Sequence, residues 1–310
     1  MQSLTILTHF SQRPESAFHG IGGDSSPNAA RLGERRFDLG LRYRRALSSD
    51  LLVTATVGHE WWQFDPTAGD DEDSIARAIL NGRFAAPPAL EDGVMALSAG
   101  GRIDFDSRRG RLFRKPRLAS DYEHVSGSGL TFGTHVLQHV GLRATRADPT
   151  YAERLPVWIS YGATTSGTLD LTATQRRLEL ELYAFFVDPM PGAGDVPFSH
   201  LASLGGSRPM RGFGQRRLID RSAAVATLRY LWPVWTLLDG TLHASLGNVF
   251  GAHLEGFELA RLRASFGIGL ASATASDHPF ELLIAFGTES LENGARIENT
   301  RLTAGTMAHF

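Results

Sequence analysis

The feature that most constrains this chain is a hydrophobic period of two that persists over long segments. Residues 36–44 carry an apolar side chain at every second position, namely Phe37, Leu39, Leu41 and Tyr43. In a strand these side chains share one face, whereas in a helix they would scatter around the axis. The same alternation recurs around Leu180, Phe266, Ile284 and Leu302. The chain is therefore predicted to be built from amphipathic β-strands.

About twelve such segments follow one another along the sequence. Most of them run for about ten to fifteen residues, whereas strands of globular proteins average ~5 to 6 and tilted bilayer-crossing strands need ~9 to 11. Charged and small residues occupy the other parity, as on the inner wall of a membrane barrel. The predicted strands are 3–11, 34–47, 50–63, 92–107, 127–143, 155–172, 175–187, 221–232, 237–250, 259–273, 278–289 and 299–310.

The predicted connections alternate between long and short, as in outer-membrane barrels, where short periplasmic turns face long external loops. The exception is 108–126, which is long on the predicted periplasmic side. No stretch of the sequence reaches the ~18 to 20 consecutive apolar residues of a membrane-spanning helix. The predicted fold class is thus all-β, a transmembrane antiparallel up-and-down β-barrel. The glycine excess, 33 of 310 residues, suits the lumen and loops of such a barrel.

Composition excludes several other functions. The absence of cysteine removes thiol nucleophiles and thiolate metal sites, and a net charge of −2 argues against nucleic-acid binding. His135 and His139 lie ~13 Å apart in a strand, too far to share an ion. We therefore expect no cofactor, no metal and no enzyme activity. A catalytic alternative would need a Ser or Asp within hydrogen-bond reach of a rim histidine such as His59 or His200.

Several motifs, in this order, resemble the bacterial surface antigen barrel, the superfamily of the BamA and TamA assembly subunits and the two-partner secretion transporters. Three segments resemble the C-terminal half of the family's barrel. They are Leu204-Gly205-Gly206 through Arg211-Gly212-Phe213, Arg221 to Pro233, and Gly247-Asn248-Val249-Phe250. Phe18 to Asp24 and Phe105 to Arg109 look like two upstream segments of the family. The terminal Phe310 is similar to the outer-membrane barrel assembly signal. The resemblance spans nearly the whole chain.

The resemblance implies a loop that enters the barrel from outside and is anchored by its arginine. If the family's loop motif is transferred to this sequence, Arg211 is the anchoring arginine, and Gly212 and Phe213 shape the tip of the loop. The family's acidic acceptors on the two following strands are replaced here by Arg229 and Ser245. An arginine facing another arginine is unfavourable, so another acceptor, such as Glu281 or Asp220, is expected.

Family barrels have sixteen strands, and assembly and secretion members carry periplasmic POTRA modules before them. We therefore interpret residues 1–310 as one barrel domain that lacks four strands, any POTRA module and the signal peptide, or as a barrel closed at a reduced strand number.

The resemblance implies a bacterial outer-membrane protein that assists protein insertion or export. Its expected partners are outer-membrane lipids, client outer-membrane proteins and components of the assembly machinery. The alternative is a passive porin-like channel of the same architecture. A third hypothesis, a soluble β-rich binding module, predicts that Leu180 and Phe266 are buried in a packed core.

Overall fold

A computed structural model gives the fold and describes residues 2–26, 28–69, 72–108, 128–142, 155–171, 176–207, 209–235, 238–272 and 280–306. In these ranges, twelve long strands form one sheet and two short strands form a separate ribbon. The long strands are β1 (Gln2–Phe18), β2 (Ala30–Ala46), β3 (Leu51–Asp65), β4 (Val94–Asp106), β5 (Gly129–Gly141), β6 (Val157–Asp170), β7 (Arg177–Pro189), β10 (Ser222–Trp235), β11 (Leu238–Phe250), β12 (Arg263–Ser272), β13 (Phe280–Ser290) and β14 (Ile297–Thr306). The ribbon pairs β8 (Ala202–Leu204) with β9 (Leu218–Asp220).

Within the described residues, helical structure is confined to the connections. One α-helix, α1, spans Ile75–Leu80 and begins after Ser74, whose hydroxyl accepts a hydrogen bond from the Arg77 backbone N–H at 3.3 Å. Short 3₁₀ turns cover Phe198–His200, Ala252–Leu254, Leu259–Arg261 and Leu291–Asn293. In the part of the chain that the structure describes, no helix has the length and apolar character needed to cross a membrane.

The large sheet is antiparallel and up-and-down, as predicted. Each strand pairs with the preceding long strand, and β7 pairs with β10 across the intervening residues 190–221. Within the described residues, β1 pairs with β2 and β14 with β13, and no pairing joins β1 to β14, so the sheet is not closed. The predicted number of strands is confirmed, whereas the closed barrel is not observed.

The two faces of the sheet differ as the alternation predicts. Large apolar side chains point outward and remain exposed, including Leu180 at 50% and Phe266 at 39%. The soluble-module hypothesis required both residues to be buried, and it is wrong. The inner face carries ion pairs, such as Arg36 with Asp38 at 2.6 Å. An apolar outside and a charged inside suit a sheet that stands in lipid.

Most long connections lie at one end of the sheet, called here the long-loop end, and the short connections lie at the other, the short-turn end. The exception is the connection between β4 and β5, whose flanking strand ends, Asp106 and Gly129, lie at the short-turn end. The described residues at the long-loop end between the strands are 19–26, 28–29, 66–69, 72–93, 142, 155–156, 190–207, 209–221, 251–262 and 291–296. Buried aromatic and aliphatic side chains pack there, among them Phe18, Trp62, Phe64, Trp158 and Phe198. The core of the molecule therefore lies on the inner face beneath the long loops.

Candidate functional site

The segment 190–221, called here the inward loop, packs against the inner face of the sheet. Leu204, Met210 and Leu218 are each at most 1% exposed. They form a cluster with Ala223 and Val225, whose side chains point inward from β10. Because this apolar surface is removed from water, the loop is held inside rather than projecting from the rim.

The tip of the inward loop is anchored by an ion pair. The Arg211 guanidinium donates through Nη1 to Oε1 of Glu281 at 2.7 Å and through Nη2 to Oε2 at 2.6 Å. The arginine side chain is 9% exposed and the glutamate side chain 4%. A bidentate, charge-assisted pair of this kind fixes orientation as well as distance. Glu281 is the second residue of β13, so the arginine reaches toward the short-turn end.

Two glycines allow the tip to approach the wall. The Gly212 N–H donates to Ser265 Oγ at 2.8 Å, and a Cβ on Gly212 would lie 2.0 Å from the Phe286 carbonyl oxygen. The Phe213 ring is fully buried, and a Cβ on Gly287 would lie 2.8 Å from it. The Arg-Gly-Phe order thus corresponds to an anchor, a backbone contact and a buried ring.

The two positions that replace the family's acceptors make other contacts. Arg229 donates through Nη1 to Oε2 of Glu179 on β7 at 3.2 Å. The hydroxyl of Ser245 lies 2.9 Å from that of Thr227 on β10. These pairs connect neighbouring strands along the inner face, and the Arg211 carboxylate partner comes from β13 instead.

The remaining residues named from the sequence lie apart from the tip. Asp220, the other acceptor considered, accepts a hydrogen bond from the Arg221 backbone N–H at 2.7 Å. Burial raises the pKa of the Asp220 carboxyl above its ordinary value. Phe310 lies outside the described residues, so its role as an assembly signal stays a prediction.

A second cluster at the long-loop end was not predicted. Arg217, 2% exposed, donates to Ser25 Oγ at 2.6 Å and also bonds Glu298. Arg263 donates to the other oxygen of Glu298 at 2.6 Å and to the Gly23 carbonyl at 3.3 Å. The cluster joins the 19–29 connection and the inward loop to β12 and β14. Its members are distant in sequence and no local spacing links them, although the Arg216-Arg217 pair beside the tip motif is a visible signal.

The same region holds a neutral histidine. His19 Nδ1 lies 3.0 Å from the Ser26 carbonyl oxygen. Burial, together with the positive charge of Arg217, lowers the pKa of His19 to about 4. At neutral pH this side chain therefore adds no further positive charge beside Arg217.

A polar contact at His200 meets the criterion stated for a catalytic alternative. Ser199 Oγ lies 3.0 Å from His200 Nδ1, and Glu60 Oε2 lies 2.9 Å from His200 Nε2. His200 ends the 3₁₀ turn Phe198–His200 at the start of the inward loop, whereas Glu60 stands on β3. The turn is thus bonded to the wall of the sheet.

Comparison with known proteins agrees with this geometry. Residues 157–307 match the Omp85 superfamily domain. The chain is similar in structure to BamA from Haemophilus ducreyi lacking POTRA domains 1–3, at 12% identity and a TM-score of 0.57. That alignment covers 99% of this chain and 62% of the BamA chain, so the chain spans less than two thirds of its length. The β domain of the Bordetella autotransporter BrkA aligns at 12% identity and a TM-score of 0.39, with 98% and 96% coverage. No curated protein sequence matches.

Long strands with an apolar outer face and an inward loop define an integral β-barrel protein of the bacterial outer membrane. The C-terminal barrel portion, residues 157–307, belongs to the Omp85 superfamily, the bacterial surface antigen barrels to which the sequence motifs pointed. The inward loop and the strands that hold it, β10 to β14, fall within the matched residues.

Proposed function

We propose that this protein is the membrane-embedded barrel of a system that inserts or exports proteins at the bacterial outer membrane. The observation that carries the proposal is the inward loop held on the inner wall by the Arg211–Glu281 pair. The Omp85 match of residues 157–307 supports it. Client outer-membrane proteins and assembly components are the proposed partners, and lipid contacts the exposed apolar band.

The inward loop argues against the passive-channel alternative. A porin-like channel conducts through a water-filled lumen. Here the inner face at the long-loop end is covered by Leu204, Met210 and Phe213, which are at most 1% exposed. A client or solute passing along this face must displace the loop, so movement of the loop is part of the proposed function.

The test combines client folding with conductance. The full chain is reconstituted in liposomes, a urea-denatured eight-stranded barrel is added as client, and its insertion is followed by protease protection. We expect client insertion to be several-fold faster than in liposomes that hold an unrelated porin, with little steady conductance in planar bilayers. Steady conductance without any effect on the client would support the passive channel instead.

We further propose that the Ser199–His200 contact orients the imidazole and does not activate a nucleophile. The supporting observation is that the two residues are adjacent in one 3₁₀ turn and that the serine hydroxyl lies at Nδ1 of His200, whereas in Ser-His-Asp triads the serine hydroxyl lies at Nε2 of the histidine. A fluorophosphonate probe should therefore label the folded protein no more than it labels the Ser199→Ala variant. Stoichiometric labelling that disappears in Ser199→Ala would establish a reactive serine.

A further inference from the structure

Three potential ligand side chains meet on the inner wall away from the Arg-Gly-Phe tip. Glu60 of β3, His139 of β5 and His200 of the inward loop each place one ligand atom within 4.8 Å of the others. His200 Nε2 lies 2.9 Å from Glu60 Oε2, and His139 Nδ1 lies 3.6 Å from Glu60 Oε1. In a tetrahedral zinc site, ligand atoms lie about 3.3 Å from one another. The two histidine–glutamate separations, 2.9 and 3.6 Å, lie on either side of that value.

The strand between them leaves room for this meeting. β4 lies between β3 and β5, and its register places Ala96 opposite Glu60 and Ser98 opposite His139. These two short side chains allow the longer carboxylate and imidazole to approach each other above β4. The arrangement is built by three separate parts of the chain.

Both imidazoles are oriented by contacts at their other nitrogen. His139 Nε2 lies 3.3 Å from Ser160 Oγ, and His200 Nδ1 lies 3.0 Å from Ser199 Oγ. The His139 ring also stacks on Trp158, with centroids 4.9 Å apart and an angle of 2° between the planes. Histidines that bind metals are oriented in this way, with the second ring nitrogen bonded to a polar group.

One atom in the cluster lacks a hydrogen bond. His139 Nδ1 is buried and has no hydrogen-bond partner, although it faces the Glu60 carboxylate. A buried polar atom without a partner is costly, and a bound cation would satisfy it. The neighbouring cation, Arg36, is already paired with Asp38 at 2.6 Å and lies over the Trp62 ring.

We propose that Glu60, His139 and His200 form a binding site for a divalent transition metal, Zn²⁺ in the first place, which ties the start of the inward loop to β3 and β5. Two imidazoles and one carboxylate suit Zn²⁺ and its first-row neighbours, whereas Ca²⁺ and Mg²⁺ prefer oxygen ligands alone. Three protein ligands leave one position for water. The sequence indicated no metal because these residues are far apart along the chain.

The test is Zn²⁺ binding to the full, folded, chelator-stripped protein, measured in competition with a chromophoric chelator. We expect one equivalent per chain, and Glu60→Gln, His139→Gln and His200→Gln should each lower the affinity by about tenfold or more. The matched control is His135→Gln, which removes an imidazole from the same strand, and it should bind Zn²⁺ like the wild type. Equal affinity in all variants would overturn the proposal, since it would place the ion on other histidines.

If a variant fails to fold, a measurement on the wild-type protein still tests whether Zn²⁺ binds at this site. Crystals grown with Zn²⁺ should give an anomalous peak at the zinc edge between the three side chains. Zn²⁺ should also raise the temperature at which the gel mobility of the folded barrel is lost, and should not do so for His200→Gln. An absent peak, or a site occupied elsewhere, would show that the cluster is only a hydrogen-bonded network.

Discussion

Replacing Arg211 with alanine should release the tip of the inward loop while leaving the strands paired. Glu281 would then be a buried carboxylate without its bidentate partner, and breaking a buried ion pair in this way costs about 3–5 kcal/mol. We expect a lower free energy of unfolding in urea and rapid proteolytic cleavage within 190–221. The gel-mobility shift of the folded barrel should be retained, because the pairing of β7 with β10 does not depend on Arg211.

The control for this variant is Arg261→Ala. Arg261 Nε lies 3.9 Å from Glu258, and both side chains are exposed, so the pair contributes little. The double variant that combines Arg211→Glu with Glu281→Arg then separates the interaction energy of the ion pair from the effects of its surroundings. If the pair anchors the loop, the double variant should be more stable than the sum of the two single changes predicts. An Arg211→Ala protein as stable and protease-resistant as Arg261→Ala would show that the loop is held by other contacts.

The strands were predictable from sequence because the period of two is a local property. Leu180 and Phe266 are recognisable as outward-facing from their immediate neighbours alone, and the structure exposes both. Closure of the sheet has no such local signal, since it depends on whether β1 meets β14. A count of strands therefore gives the extent of the sheet and not its shape.

The contacts of the inward loop were only partly predictable from the sequence, because some of them join residues that are distant in the chain. Arg211, Gly212 and Phe213 form a contiguous motif that is visible in the sequence. The acceptor of the arginine lies on β13, and only the fold brings Glu281 to it. The Glu60–His139–His200 cluster shows the same limit. The spacing of His135 and His139 argued against a shared ion, whereas His139 meets His200 and Glu60, which come from other elements. Contacts between residues that are distant in the sequence cannot be predicted from residue spacing.

Replacing Gly212 with alanine should displace the tip even though every charge is kept. The added methyl group would lie 2.0 Å from the Phe286 carbonyl oxygen, 2.2 Å from its carbon and 2.6 Å from the Gly287 nitrogen. These are backbone atoms of a paired strand, so the loop has to move instead, which separates Gly212 N–H from Ser265 Oγ and strains the Arg211–Glu281 pair. Overpacking against rigid surroundings costs about 1–3 kcal/mol. We expect a lower free energy of unfolding in urea and protease sensitivity within 190–221, as for Arg211→Ala.

The same loop offers a matched control in Gly214→Ala. A Cβ at Gly214 would meet no atom within 4 Å, so this substitution adds the same methyl group two residues away without a clash. Its free energy of unfolding should stay within about 0.5 kcal/mol of the wild type. The pair of variants thus isolates the contact at Phe286 from any general sensitivity of the loop to loss of glycine. If Gly212→Ala and Gly214→Ala were equally destabilising, the Arg-Gly-Phe tip would need glycine for its backbone freedom and not for its close approach to β13.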